Sequence, residues 1–319
     1  MNKLFCLLIF MSGTAWGRTR IEARLPAYPN MQYTLKIDQH SLNDYAGTVI
    51  AEGRSDDSGK FIIDAALDKE QPVSLYFSNT FFVLWIKPND TLLITTQKNG
   101  GFDFSGKTAR ENSVMQSSGL MQPFTVPGNI GLNSFEPARQ RKYLDSIEAV
   151  RWIIIPSSET EGGVSKPFGA FYKAETSNFT LVNHYQYVQL LKATNKISAK
   201  DIPGDYFDFW KRFSLVEDSS YSNSYQSALQ NFIEYRASLK PTGSQPGSAS
   251  SWHEMFRIAD SLLVRHPLTL QKQRSAFLFL LLKYFNHTDL TGKEVELYKR
   301  DFPSSPSLTL LEELWNKKR

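Results

Sequence analysis

Sulfur chemistry is nearly absent from this sequence. Its one cysteine, Cys6, sits inside the opening segment "MNKLFCLLIFMSGTAWG". That segment has a lysine, an apolar run from Leu4 to Met11 and a small-x-small ending at Ala15 and Gly17, the order of a secretory signal peptide cleaved after Gly17. The run is too short to span a bilayer. No apolar stretch of its own precedes Cys6 and no small residue stands directly before it, which argues against a lipid anchor. With residues 1–17 removed, the expected mature chain has no disulfide, no thiolate nucleophile and no cysteine-ligated metal.

Other absences narrow the chemistry further. The histidines His40, His184, His253, His266 and His287 are scattered, and none has a second histidine three or four residues away, as helical metal ligation favours. No serine stands in G-x-S-x-G. The carboxylate pairs Asp56-Asp57 and Glu312-Glu313 are adjacent and point apart, whereas acid–base work needs two convergent groups. The sequence therefore predicts no catalytic constellation, no metal and no cofactor. Charge of either sign is also short of an excess: 36 Lys+Arg against 32 Asp+Glu leave +4. No basic cluster alternates with aromatics, so nucleic acid is not expected as a partner, and the tail "NKKR" reads as a solvated helix end. "SAFLFLLLKYF" (Ser275–Phe285) falls well short of the ~20 residues that cross a membrane. It reads as a buried helix, which leaves the mature chain without an expected transmembrane segment. No fixed-period repeat appears.

The stretch "EGRSDDSGKF" (Glu52–Phe61) has the glycines and lysine of a phosphate-binding loop without its spacing. Five residues separate Gly53 from Gly59, Phe61 replaces the hydroxyl residue, and Asp56 and Asp57 would repel phosphate. No glutamate follows at the spacing of a calcium loop. Its flanks "GTVIAEG" and "KFIIDAAL" are strand-like, so Asp57-Ser58-Gly59 predicts the turn of a β-hairpin.

What the sequence does contain is a change of period. From Arg18 to about Gly106 the short runs "TRIEARLPA", "MQYTLKID", "GTVIAEG", "KFIIDAAL", "PVSLYFS", "FFVLWI", "TLLITTQ" and "FDFSG" alternate with turn residues. This pattern predicts an antiparallel β-sandwich or barrel-like domain over 18–107. "FFVLWI" does not alternate, which predicts a central strand covered on both faces, or a bulge. Helical spacing comes next, with Tyr143, Leu144, Ile147 and Val150 as one face. It predicts helices over 136–154, 168–194, 204–215, 220–240, 252–265, 268–286, 291–300 and 306–316. The class is thus α+β, with a helical domain over 108–319 and a flexible connection at about 241–251, "PTGSQPGSASS", dividing it into two subbundles. Tyr206, Phe209, Trp210 and Phe213 share a helical face and read as core packing, as do Tyr221, Tyr225, Phe232 and Tyr235.

Taken together, the leader, "GKFIID", "FFVLWIKPNDTLLIT", "FDFSGKTAREN" and the helices with "ADSLLVRHP" and "YKRDFPSSPSLTLLEELW" resemble a known arrangement. It is the N-terminal domain and helical spacer of TlpA-type envelope thiol–disulfide reductases. The matching elements are the Gly59-Lys60-Phe61 turn, the Lys87-Pro88-Asn89-Asp90 turn, with Asn89 where that family has glycine, Phe104-Ser105-Gly106-Lys107, and Glu111-Asn112. The resemblance implies the periplasm or cell envelope of a Gram-negative bacterium. It also implies a thioredoxin-like domain with a Trp-Cys-x-x-Cys centre, to which no residues here correspond, so reductase activity does not carry over. The expected function is a non-catalytic binding or interaction protein, taking a partner polypeptide or a small ligand in a cleft between the β-domain and the helices. The alternative is an accessory subunit of a split oxidoreductase, acting with a separate thioredoxin-like protein.

Overall fold

A computed structural model describes residues 17–37, 48–77, 80–98, 100–121, 136–160, 163–215, 223–239, 249–284, 289–305 and 307–317. The leader up to residue 16, His40, Tyr221, His287 and residues 241–248 of the expected connection lie outside them. The chain is α+β. Among the described residues eight strands come first: β1 (Gly17–Arg24), β2 (Gln32–Ile37), β3 (Thr48–Arg54), β4 (Lys60–Leu67), β5 (Gln71–Phe77), β6 (Thr80–Ile86), β7 (Thr91–Thr96) and β8 (Phe102–Ser105). They form two four-stranded sheets, ordered β4-β1-β7-β8 and β3-β2-β5-β6. All pairs are antiparallel except β1 with β7, which is parallel.

Strict alternation builds the inner faces. In β4, Phe61, Ile63, Ala65 and Leu67 point into the core, and Lys60, Ile62, Asp64 and Ala66 point out. The Asp56–Gly59 turn forms as its chemistry requires. The Asp56 carboxylate accepts from Ser58 N, Ser58 Oγ and Lys60 N. Gly59 has φ +72°, and a Cβ there would lie 2.1 Å from Leu25 O. The hairpin reading, however, is corrected: β3 pairs with β2 and β4 with β1, in different sheets. The turn carries the chain around a corner between sheets, because turn residues dictate reversal and leave the pairing partner open.

"FFVLWI" is likewise not central. β6 is the last strand of its sheet, with an unbroken register against β5. Residues 82–86 are nonetheless all buried, so the expected cover on both faces is present.

The helices are α1 (Ala109–Ser117), α2 (Pro137–Thr160), α3 (Lys166–Ala193), α4 (Asn223–Ser238), α5 (Ala249–Leu263), α6 (Pro267–Tyr284), α7 (Asp289–Asp301) and α8 (Leu308–Asn316). Two differences from the sequence reading stand out. Helix α1, polar and short, is additional, and the stretch expected to be helical at 204–215 is a 3-10 helix, Tyr206–Arg212. No helix among the described residues is long and apolar enough to cross a membrane.

The described residues form three cores along the chain. The first fills the sandwich and continues into Val114 and Met115 of α1 and Phe168, Phe171 and Tyr172 of α3. A second joins Leu181, Tyr185 and Val188, further along α3, to Tyr206, Phe209, Trp210 and Ala228 of α4. The third joins Tyr225, Leu229 and Ile233 of α4 to α5–α8. The division between the helical cores therefore runs through α4, and Ala249–Ser251 of the expected connection already belong to α5. Helix α2 is rotated from its expected face. Gln140, Leu144, Glu148 and Arg151 are buried, and Val150 is 57% exposed.

Candidate functional site

The Lys87–Asp90 turn and the Phe104–Asn112 segment singled out in the sequence meet at α1. The Asp90 carboxylate accepts from Lys107 N at 2.9 Å, Thr108 N at 3.0 Å and Thr108 Oγ1 at 2.8 Å, locking the β6–β7 turn to the entry of α1. Asn89 takes the left-handed conformation, φ +57°, which asparagine tolerates. Gly106, φ +123°, has no room for a side chain: a Cβ would lie 2.2 Å from Thr91 O.

One face of α1 then closes both sheets. Asn112 accepts from Trp85 N (3.0 Å) and donates to Trp85 O (2.8 Å), standing in for a neighbouring strand on the open edge of β6. Gln116, one turn later, accepts from Phe102 N (2.7 Å) and donates to Phe102 O (3.0 Å) on the outer edge of β8. Val83 N completes the β6 edge by donating to Met121 O at 2.8 Å. These contacts blunt edges that would otherwise invite another chain.

A single serine links the sandwich to α3. Ser165 caps α3 by accepting from Phe168 N. Its own Oγ donates to Glu70 Oε2 at 2.7 Å, and its N donates to Glu111 Oε1 at 3.1 Å. Trp85 Nε1 also donates to Glu70. Burial pushes the Glu111 carboxyl above the usual range. Its hydrogen bonds and Lys87 oppose this, whereas the nearby Glu70 reinforces it. Glu111 Oε2 is buried without a hydrogen-bond partner. Behind these groups Trp85 packs against Phe168 and Phe171, with centroids 5.3 and 5.2 Å apart. Packed side chains thus join the sandwich to the start of α3.

A second polar cluster joins α2, α3 and the 206–212 helix. His184, fully buried on α3, lies 3.2 Å through Nε2 from Asp145 Oδ1. Arg212 reaches Asp145 at 3.6 Å and Glu148 at 3.2 Å, and Trp152 Nε1 donates to Glu148. Burial depresses His184 to about 4, against the pull of Asp145. The aromatic residues Tyr206, Phe209 and Trp210 are buried beside it.

In the third core, Arg274 gathers Glu294 (3.0 Å), Asp301 (3.2 Å) and Asp260 (3.7 Å), tying α5, α6 and α7 together. His253 adds a contact to Glu294 at 3.6 Å, whereas His266 sits half-buried at the α5–α6 turn. Glu312 pairs with Lys299 at the surface. Among the described residues no group of three or more His, Asp or Glu side chains is arranged to hold a metal ion. An open recess of about 340 Å³ lies on the outer face of the first sheet, lined by Arg18, Arg20, Asp64, Asn89, Asp90 and Thr91.

Sequence reasoning missed Glu70, Gln116, Ser165 and the Asp145–His184 contact. Only Ser165 had a local signal, the Ser-Lys-Pro start of a helix. No protein-family model matches the chain, and neither a curated protein nor a solved structure matches it.

Proposed function

We propose that this chain is a non-catalytic interaction protein of the cell envelope, comparable in build to the N-terminal region of TlpA-type reductases. The supporting observation is the use to which the family-like residues are put. Asp90, Thr108, Glu111 and Asn112 face inward and hold a sandwich to a helical arm. A scaffold of this kind presents surface, and α2 displays Val150 at 57%, Trp152 at 37% and Ile153 at 70% exposure on its outer side. The envelope location rests on the leader in residues 1–17.

The test pairs two measurements on the exported, mature protein. Insulin reduction by the purified chain is expected to stay at the blank rate, since exchange needs a thiolate. Crosslinking in envelope extract is expected to yield a defined complex with one polypeptide through the helical arm. Reduction by the chain alone would overturn the reading. A complex with a thioredoxin-like protein whose reductase rate rises on binding would replace it with the split-oxidoreductase alternative.

A further inference from the structure

The 206–212 helix packs on α2, α3 and α4, through Arg212 to Glu148, Trp210 to Tyr185 and Trp210 to Phe232, and one histidine lies at the centre of its contact with α2 and α3. Tyr206 Oη donates to the His184 backbone carbonyl at 3.0 Å, and Phe209 lies against the imidazole with centroids 5.1 Å apart. On the other side His184 Nε2 meets Asp145, which also faces Arg212. The charged and titratable groups around the ring are therefore Asp145 and Arg141 from α2, and Arg212 and Tyr206 from the 206–212 helix. Glu148 sits one turn further along α2, bound to Arg212.

In the neutral ring, Nε2 carries the proton and donates to Asp145. Nδ1 is buried and has no hydrogen-bond partner. A second proton must go to Nδ1, where it creates a buried N–H bearing positive charge with no acceptor, and Arg212 and Arg141 oppose that charge. An unpaired buried donor of this kind is costly, so the proton is better accommodated once the ring reaches water. Lifting the short 3-10 helix, whose Phe209 covers the ring and whose hydrogen bonding is poorer than that of α2 or α3, opens a route to water.

We propose that His184 is an acid-sensitive latch: when its ring takes a second proton, the 206–212 helix detaches from α2 and α3, exposing Tyr206, Phe209 and Trp210, while the third core stays folded. A surface hidden at neutral pH would then become available for contact in acid.

Hydrogen exchange of the mature full-length protein tests this, with α6 as internal reference and intrinsic rates corrected for pH. The ordinary histidine value is 6.5 and the folded one about 4. Opening of the 206–212 amides is therefore expected to rise by up to about tenfold per pH unit across that window as pH falls. His184→Gln should flatten this slope. Asp145→Asn, which removes the carboxylate holding the ring's proton affinity up, should move its lower end to more acid pH, and it serves if His184→Gln does not fold. Constant protection from pH 7 to 4, an unchanged slope in His184→Gln, an unmoved lower end in Asp145→Asn, or simultaneous loss of protection in α6 would each overturn the latch.

Discussion

The sandwich and the helical arm solve the same problem in different ways. Strands leave backbone groups unpaired at each sheet edge, so the β half needs outside help, and it receives it from the Asn112 and Gln116 carboxamides. Helices satisfy their own backbone, so the helical half can be strung out as separate cores along α3 and α4. One short helix, α1, thus makes the β half dependent on the helical half, whereas the arm's cores share only helices. Trp85 and His184 are the places where this contrast can be pressed hardest.

The largest effect is expected from Trp85→Ala. Trp85 is buried in the sandwich and touches α3, so its loss should cost about 3–5 kcal/mol and weaken both halves together. Trp210→Ala should cost a similar amount with the sandwich's own signals preserved. Urea unfolding followed by near-ultraviolet circular dichroism and by exchange on β5 distinguishes the two, and a Trp85 variant that spares α3 would break the comparison.

Acidity should separate the halves next. His184 is depressed in the folded chain, so its neutral form contributes stability above the unfolded value of 6.5, and this is lost as pH falls toward about 4. A shift of that size corresponds to on the order of 3 kcal/mol. Glu111 runs the other way. Its carboxyl is raised, so its contribution is present below the unfolded value of 4.5 and is lost as pH rises through the folded value. Acid is thus expected to loosen α2–α3 around the 206–212 helix and to favour burial of a neutral Glu111 beside α3's start. In Glu111→Gln the sandwich–α3 junction should lose its pH dependence above the unfolded value of 4.5, measured by exchange at Ser165–Phe168. An unchanged profile would remove Glu111 from the account.

Asn112→Ala should cost about 2–3 kcal/mol, because it leaves Trp85 N–H and C=O buried and unpaired. Exposure of the β6 edge should also favour self-association, read by sedimentation. At the other end of the scale, Glu312→Gln removes a surface contact to Lys299 and should change stability by less than about 1 kcal/mol. A larger loss would mean that α7 and α8 depend on charge more than on the apolar packing of Leu311.

Much of the fold was legible in the sequence. Each of the eight strands lies on one of the short turn-bounded runs, and every expected helical stretch is helical, one of them as a 3-10 helix. The exceptions have physical causes. Helix α1 escaped because "ARENSVMQS" carries few apolar residues, its Asn112 and Gln116 being there to bond strands. Helix α2 turned its Gln140–Leu144–Glu148–Arg151 face inward because Glu148 and Arg151 find partners there. Arg151 Nε donates to Ser118 O and its guanidinium lies 4.4 Å from the Phe179 ring, contacts that apolar periodicity does not register.

The sequence by itself determined where the strands, the turns and all the helices but α1 lie, and that Tyr206, Phe209 and Trp210 are core, since these depend on local spacing and backbone preference. Only the tertiary structure decided that β3 and β4 part into different sheets, that β6 lies at an edge, and which protonation states Glu111 and His184 favour. Those outcomes depend on groups far apart in the chain, as Ser165 is from Glu70 by 95 residues. A pairing partner or a buried environment is set by which distant groups come to share one space, and no local pattern carries that information.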